Sequence, residues 1–227
     1  YILNNNWFSI KFIDKKLIKE MLRFGIPLMP TFLIYWIFNS SDRLMIGKII
    51  GNSYVGIYGV GARVASISQF TYAAFASGWQ YFAFSTMKDN DQVLLTSKVF
   101  EYLGLIAFNF FIVLLPFVYS IFNLLFKGDY RYGYMVFPYL FMSPLLLMLY
   151  QTGVNQFLVI KKTIYSTLIL LFGAFINVLM NLLLIPILGI EGASIATFIS
   201  YCFSVYIAVI KLRKMNLILI KKRFIYI

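Results

Sequence analysis

The sequence has no histidine, one cysteine (Cys202) and only 8 acidic residues, and its charged fraction is 12%. Without histidine there is no His-based catalytic triad and no zinc site of the usual His/Cys kind. One cysteine forms no intramolecular disulfide. No Walker loop, GxSxG or HExxH motif occurs, so the chain is not expected to be an enzyme, and neither a cofactor nor a metal site is expected. What fills the sequence instead is apolar: 61% of residues are hydrophobic, including 24 Phe and 17 Tyr. Soluble domains are about half apolar and a quarter charged.

The apolar residues come in unbroken blocks. Phe24 to Phe38, Leu103 to Phe122 and Leu168 to Leu188 contain no Asp, Glu, Lys or Arg. A helix crosses the hydrocarbon with ~20 such residues at a rise of about 1.5 Å each. Membrane strands alternate in character over about ten residues, and these runs do not. The pattern predicts an all-α membrane protein of six transmembrane helices, over about 19–50, 54–87, 97–126, 134–160, 165–188 and 193–212. A leading linker (1–18) and a basic tail (213–227) flank the bundle. Pro27 and Pro30 are expected to break the first span. A chain that opens on Tyr1 is expected to be a piece of a longer protein.

The net charge of +12 does not point to nucleic acid, because the basic residues lie between the helices and at the ends. Lys11, Lys15, Lys16, Lys19, Arg23, Lys88, Lys98, Lys161, Lys162 and the tail residues from Lys211 to Arg223 fall on one side. The other side has Lys48, Lys127 and Arg131. The positive-inside rule puts both termini in the cytoplasm, as an even number of spans requires.

Polar residues at membrane depth are the functional candidates. Asn39, Asp42 and Arg43 interrupt the first span, with Arg43 about 12 Å beyond its middle. Arg63 falls at a similar depth in the second span. Two cations at one level suit a phosphate or acidic sugar; a structural Arg63–Asp42 pair is the alternative. Asn177 and Asn181, four apart, share a helix face. Gln80, Gln69, Asn109, Asn155 and Gln156 are further amides that bond either a sugar or a neighbouring helix. Trp36, Trp79 and Tyr81 are candidate stacking surfaces.

Two stretches carry a family resemblance. Leu22-Arg23-Phe24-Gly25-Ile26-Pro27-Leu28-Met29-Pro30, followed by Ser41-Asp42-Arg43 and Val55-Gly56-Ile57-Tyr58, resembles the start of the second six-helix lobe of polysaccharide (O-antigen type) flippases. These share a superfamily with multidrug MATE exporters and the lipid II flippase. The run from Asn177 to Pro186, then Gly189-Ile190-Glu191-Gly192-Ala193-Ser194-Ile195-Ala196-Thr197, resembles the hairpin of the fifth and sixth helices of such a lobe. The resemblance implies one lobe of a two-lobed MATE-like flippase in the bacterial cytoplasmic membrane. By alternating access it would move an undecaprenyl-pyrophosphate-linked oligosaccharide to the outer leaflet, with Arg43 and Arg63 meeting the pyrophosphate. The implied partners are membrane lipid, the missing amino-terminal lobe and a polysaccharide polymerase. A drug or cation antiporter of the superfamily, and a polymerase of the same pathway, are the alternatives.

Overall fold

The computed structural model describes residues 14–26, 29–89 and 91–219. These form helices and turns, with no strand among the described residues. Pro27, the Pro30 ring, most of the expected linker and the end of the tail lie outside the described residues.

The first expected span resolves into α1 (Lys15–Gly25) and α2 (Met29–Ile49). The Asp14 carboxylate caps α1, accepting from the Lys16 and Leu17 backbone N–H at 2.8 and 3.3 Å. The second span also divides, into α3 (Asn52–Ala65) and α4 (Ile67–Ser85). At the break the Ser66 hydroxyl donates to the Arg63 carbonyl at 2.6 Å, an alternative to the helical backbone bond. The third, α5 (Gln92–Leu125), begins earlier than expected. Residues read as a plain connection form a 3-10 helix, Gly128–Met135, bent by 46° from α6 (Phe137–Val159).

The last element, α7 (Ile164–Lys214), is 51 residues long. Only Gly189, at φ 61° and ψ −136°, leaves the helical conformation, a region that a side chain strongly disfavours. Asn177 and Thr197 would be ~30 Å apart on a straight helix, yet their side chains hydrogen-bond at 2.9 Å. The element is therefore a helical hairpin turning at Gly189. Its two legs close tightly: a Cβ on Gly192 would lie 2.6 Å from the Leu184 carbonyl carbon. The expected four-residue connection is thus a one-residue pivot.

α6 is the central column, buried along nearly its whole length against α3, α4, α5 and α7. At one end of the bundle Gln156 Nε2 donates to Thr96 Oγ1 at 2.6 Å. There the chain leaving α7 folds back through Asn216 (φ 56°), buries Ile218 and donates from the Leu219 N–H to Ser97 Oγ at 2.7 Å. This is the end that carries Lys88, Lys98, Lys161, Lys162 and Lys211. At the opposite end the 3-10 helix packs on α3, and Tyr139 of α6 meets Glu191 beside the hairpin turn at 3.3 Å.

α5 and α7 are each long and apolar enough to cross a membrane, as is the bent pair of the 3-10 helix and α6 taken together. Only 17% of the apolar window of α5 is buried inside the protein. Ile106 and Leu124 are 66% and 85% exposed. A helix that is apolar all round yet bare on most of its surface has lipid as its solvent. The chain is a multi-pass membrane protein.

Candidate functional site

Where α2, α3 and both legs of α7 meet, the structure buries a carboxylate. Asp42 is 3% exposed. Its Oδ2 accepts from the Tyr58 hydroxyl at 2.5 Å and the Thr197 hydroxyl at 2.8 Å, and its Oδ1 accepts from Asn181 Nδ2 at 2.7 Å. Asn177 joins the network, donating to Thr197 Oγ1 at 2.9 Å and accepting from Ser41 at 2.9 Å and Asn181 at 3.3 Å. One atom is left over: Asn181 Oδ1 is buried with no hydrogen-bond partner among the described residues.

The fold explains the convergence. Asn177 and Asn181 lie one turn apart on the first leg of the hairpin. The pivot at Gly189 returns Thr197 to their level, and α2 packs along α7 with Asp42 facing both. No ion pair involves Asp42 among the described residues, so the alternative of an Arg63–Asp42 pair is not what the structure forms. The oxygens that the cluster offers are those of one carboxylate, two amide carbonyls and three hydroxyls. That set is hard and carries a single negative charge, which suits an alkali-metal ion rather than zinc or a divalent ion. The orphaned Asn181 carbonyl is the kind of atom a bound cation satisfies.

Asp42 also forms part of the wall of a cavity of about 420 Å³. Four tyrosines (Tyr35, Tyr58, Tyr72 and Tyr201) line it, along with Gln69, Ser143 and the exposed Arg43. Gln151 is within interaction range of the Tyr35 and Tyr72 hydroxyls. Phe38 stacks on Tyr201 with ring centroids 4.6 Å apart. The wall therefore combines flat apolar faces, hydroxyl and amide donors, and one guanidinium.

Of the residues picked from the sequence, Asp42, Asn177 and Asn181 come together in the buried cluster, and Arg43 adjoins it on the cavity side. Arg63 and Gln80 are exposed and lie outside the cavity lining. Asn39 is in α2, but its side chain lies outside the described residues. Gln156 joins α6 to α5, and Asn109 bonds its own helix at Leu105, so both serve the helices. Trp36 and Tyr81 are 61% and 78% exposed, while Trp79 is buried away from the cavity. Thr197, Tyr58 and the tyrosine wall were not singled out. Thr197 sat in the quoted hairpin motif, and only its return to the level of Asn177 gives it meaning.

Residues 2–131 match the polysaccharide biosynthesis protein family. The chain belongs to that family. Two uncharacterized membrane proteins of Methanocaldococcus jannaschii are each 28% identical to it, over 186 and 193 residues. These alignments cover 80% and 83% of this chain but 43% and 38% of those proteins. Among solved structures, an outward-facing multidrug resistance MATE family transporter of the MOP superfamily superposes with a TM-score of 0.66 at 14% identity, covering 89% of this chain and 47% of that one. A MOP superfamily transporter from Pyrococcus furiosus superposes at 0.65 with 15% identity, covering 89% and 46%. The fold is thus MATE-like, and the chain spans less than half the length of the proteins it matches.

Proposed function

We propose that this chain is the lobe of an alternating-access transporter for lipid-linked glycans, and that an alkali-metal ion bound at Asp42 is its driving cargo. The observation that carries the reading is the joining of two features at one residue: Asp42 belongs both to the oxygen cluster and to the wall of the tyrosine-lined cavity. The cluster ties α2 to α3 and to both legs of α7. An ion exchanging there acts on the elements that shape the cavity.

Family membership supports a glycan as cargo. The wall supports it too, because phenol faces stack on sugar rings while Gln69 and Ser143 meet hydroxyls. Arg43 is placed to meet a phosphate or acidic sugar, which fits an undecaprenyl-pyrophosphate-type carrier. An organic-cation exporter, the second reading, finds support in the single buried carboxylate. The guanidinium in the cavity opposes a cationic drug and disfavours that reading. The basic end of the bundle faces the cytoplasm of a bacterial cell in this proposal, and a polymerase receives the exported glycan.

The test is export of surface glycan in cells whose own flippase has been removed, using a complete two-lobed protein that contains this lobe. Arg43→Ala should cut export at least tenfold at unchanged protein level, and an imposed sodium gradient should accelerate export in vesicles. Undiminished export by Arg43→Ala, together with indifference to the gradient, would overturn both halves of the proposal.

A further inference from the structure

The helix that precedes the bundle is amphipathic, and among the described residues no other helix packs extensively against it. α1 has Lys15, Lys16, Lys19, Glu20 and Arg23 on one half of its circumference. Leu17, Ile18, Met21 and Leu22 occupy the other half and are 56%, 42%, 64% and 52% exposed. None of these residues belongs to a hydrophobic core among the described residues. α2 starts at Met29, and three Cα steps from Ile26 reach at most ~11 Å. α1 therefore lies at the level where α2 enters the membrane. That level is the basic end, since the first half of α2 contributes Ile34 and Phe38 to the same hydrophobic cluster as Phe157, Leu212 and Ile218.

Two environments are ruled out by the residues themselves. The hydrocarbon core rejects four cations on one short helix. Water leaves a continuous row of large apolar side chains bare. The boundary between them accepts both halves, with the apolar face in the acyl chains and the ammonium and guanidinium groups among headgroups. Charge selects the headgroup. The polar half has four cations against Glu20, and it sits beside a bundle end that is itself basic. A second copy presenting the same face would be repelled, while anionic phosphates would be drawn in.

We propose that α1 is a membrane-surface anchor that binds anionic phospholipid and fixes the entry point of α2. This is independent of the glycan reading, and the test below measures no transport. A fluorophore is placed on single cysteines in a Cys202→Ser background of the complete protein, at Ile18→Cys and Met21→Cys on one face and Lys19→Cys on the other. The protein is reconstituted in vesicles containing phosphatidylglycerol or in phosphatidylcholine alone.

Lipid-borne nitroxide should quench Ile18→Cys and Met21→Cys in the anionic vesicles, while water-soluble iodide reaches Lys19→Cys. In phosphatidylcholine alone, iodide should reach all three positions. The triple variant Lys15→Gln, Lys19→Gln, Arg23→Gln should lower the ratio of lipid-seated to released helix on the order of 100-fold, at about fivefold per cation lost. Three results each overturn the proposal: labels at 18 and 21 shielded from both quenchers, which means a protein covers the face; equal iodide access on both faces in anionic vesicles; or lipid quenching that is the same in both lipids.

Discussion

Asp42→Asn separates the structural from the ionic role of the cluster, because the neighbouring Asn181 can adapt to it. The native carboxylate accepts three hydrogen bonds, from Tyr58, Thr197 and Asn181. In the variant the new carbonyl keeps the two hydroxyl donors, and its amide nitrogen then faces Asn181. A flip of the Asn181 side chain turns its unpartnered Oδ1 toward that nitrogen and restores a bond. What is lost is the difference between charge-assisted and neutral hydrogen bonds, together with the long 3.3 Å bond from Asn181 Nδ2 to Asn177, about 2–3 kcal/mol in all. Asp42→Ala has no such escape: it strands three buried donors at about 1–3 kcal/mol each and should prevent accumulation of folded protein. The assay is thermal unfolding of purified protein in detergent, titrated with sodium chloride against choline chloride at constant ionic strength. A site saturated a hundredfold above its Kd stabilises the native protein by about 2.7 kcal/mol. That shifts the midpoint by roughly 5–10 °C for a chain of this size. The Asn variant, with no negative charge, should show no sodium-dependent shift. Equal stabilisation of native and variant protein, or of neither, refutes the assignment of the ion to Asp42.

Four further outcomes follow from the same geometry. Tyr58→Phe removes the 2.5 Å bond to Asp42 and should lower stability by about 1.5–3 kcal/mol, measured by the same unfolding assay. Gly189→Ala places a side chain at φ 61° and ψ −136° and should cost about 1–3 kcal/mol; an unchanged midpoint would mean the pivot relaxes. Gly192→Ala drives a methyl into the Leu184 backbone, with a loss of about 1–3 kcal/mol and reduced folded yield. In the glycan-export assay Arg63→Ala should reduce export less than Arg43→Ala does, because only Arg43 lines the cavity; equal losses would place Arg63 in the substrate path by another route.

The helices were legible because the longest apolar blocks, Leu103 to Phe122 and Leu168 to Leu188, match the thickness of hydrocarbon, and that signal needs no tertiary information. Their interruptions were less so. Nothing in Val64-Ala65-Ser66-Ile67 marks a break, since serine bends a helix only where its hydroxyl finds a carbonyl, as Ser66 does at Arg63. Gly189 read as an ordinary loop residue, whereas one positive-φ residue reverses the whole hairpin. The same reversal decides the site. Asn177 and Asn181 were visible as a pair from their spacing, and Asp42 as an ionisable residue in a span. Thr197 and Tyr58 carry no such mark, because a threonine or tyrosine in a membrane helix has an ordinary role by default. Arg43 and Arg63 looked equivalent when depth was the only coordinate. Facing is the second coordinate, and it separates them.

The cavity also bears on how the lobe works. A volume of about 420 Å³ falls near the low end of the ~300–1,000 Å³ of small-molecule sites. For the glycan cargo proposed above, that is room for a headgroup with a sugar or two, not for a whole oligosaccharide. In the proposal above, one lobe would grip the charged end of the cargo, and the remainder would meet a second wall. The chain spans less than half of the proteins it matches, so such a wall has room to exist in a complete transporter. In that proposal the tyrosines form the grip: Gln151 is within interaction range of Tyr35 and Tyr72, and Tyr58 donates to Asp42. Of these, only the Tyr58 bond competes with an ion for the carboxylate. Ion exchange at Asp42 should thus release or recapture Tyr58 while the other two rings stay in place. The proposed coupling is local: the residue assigned to the cation also positions one of the four rings assigned to the sugar.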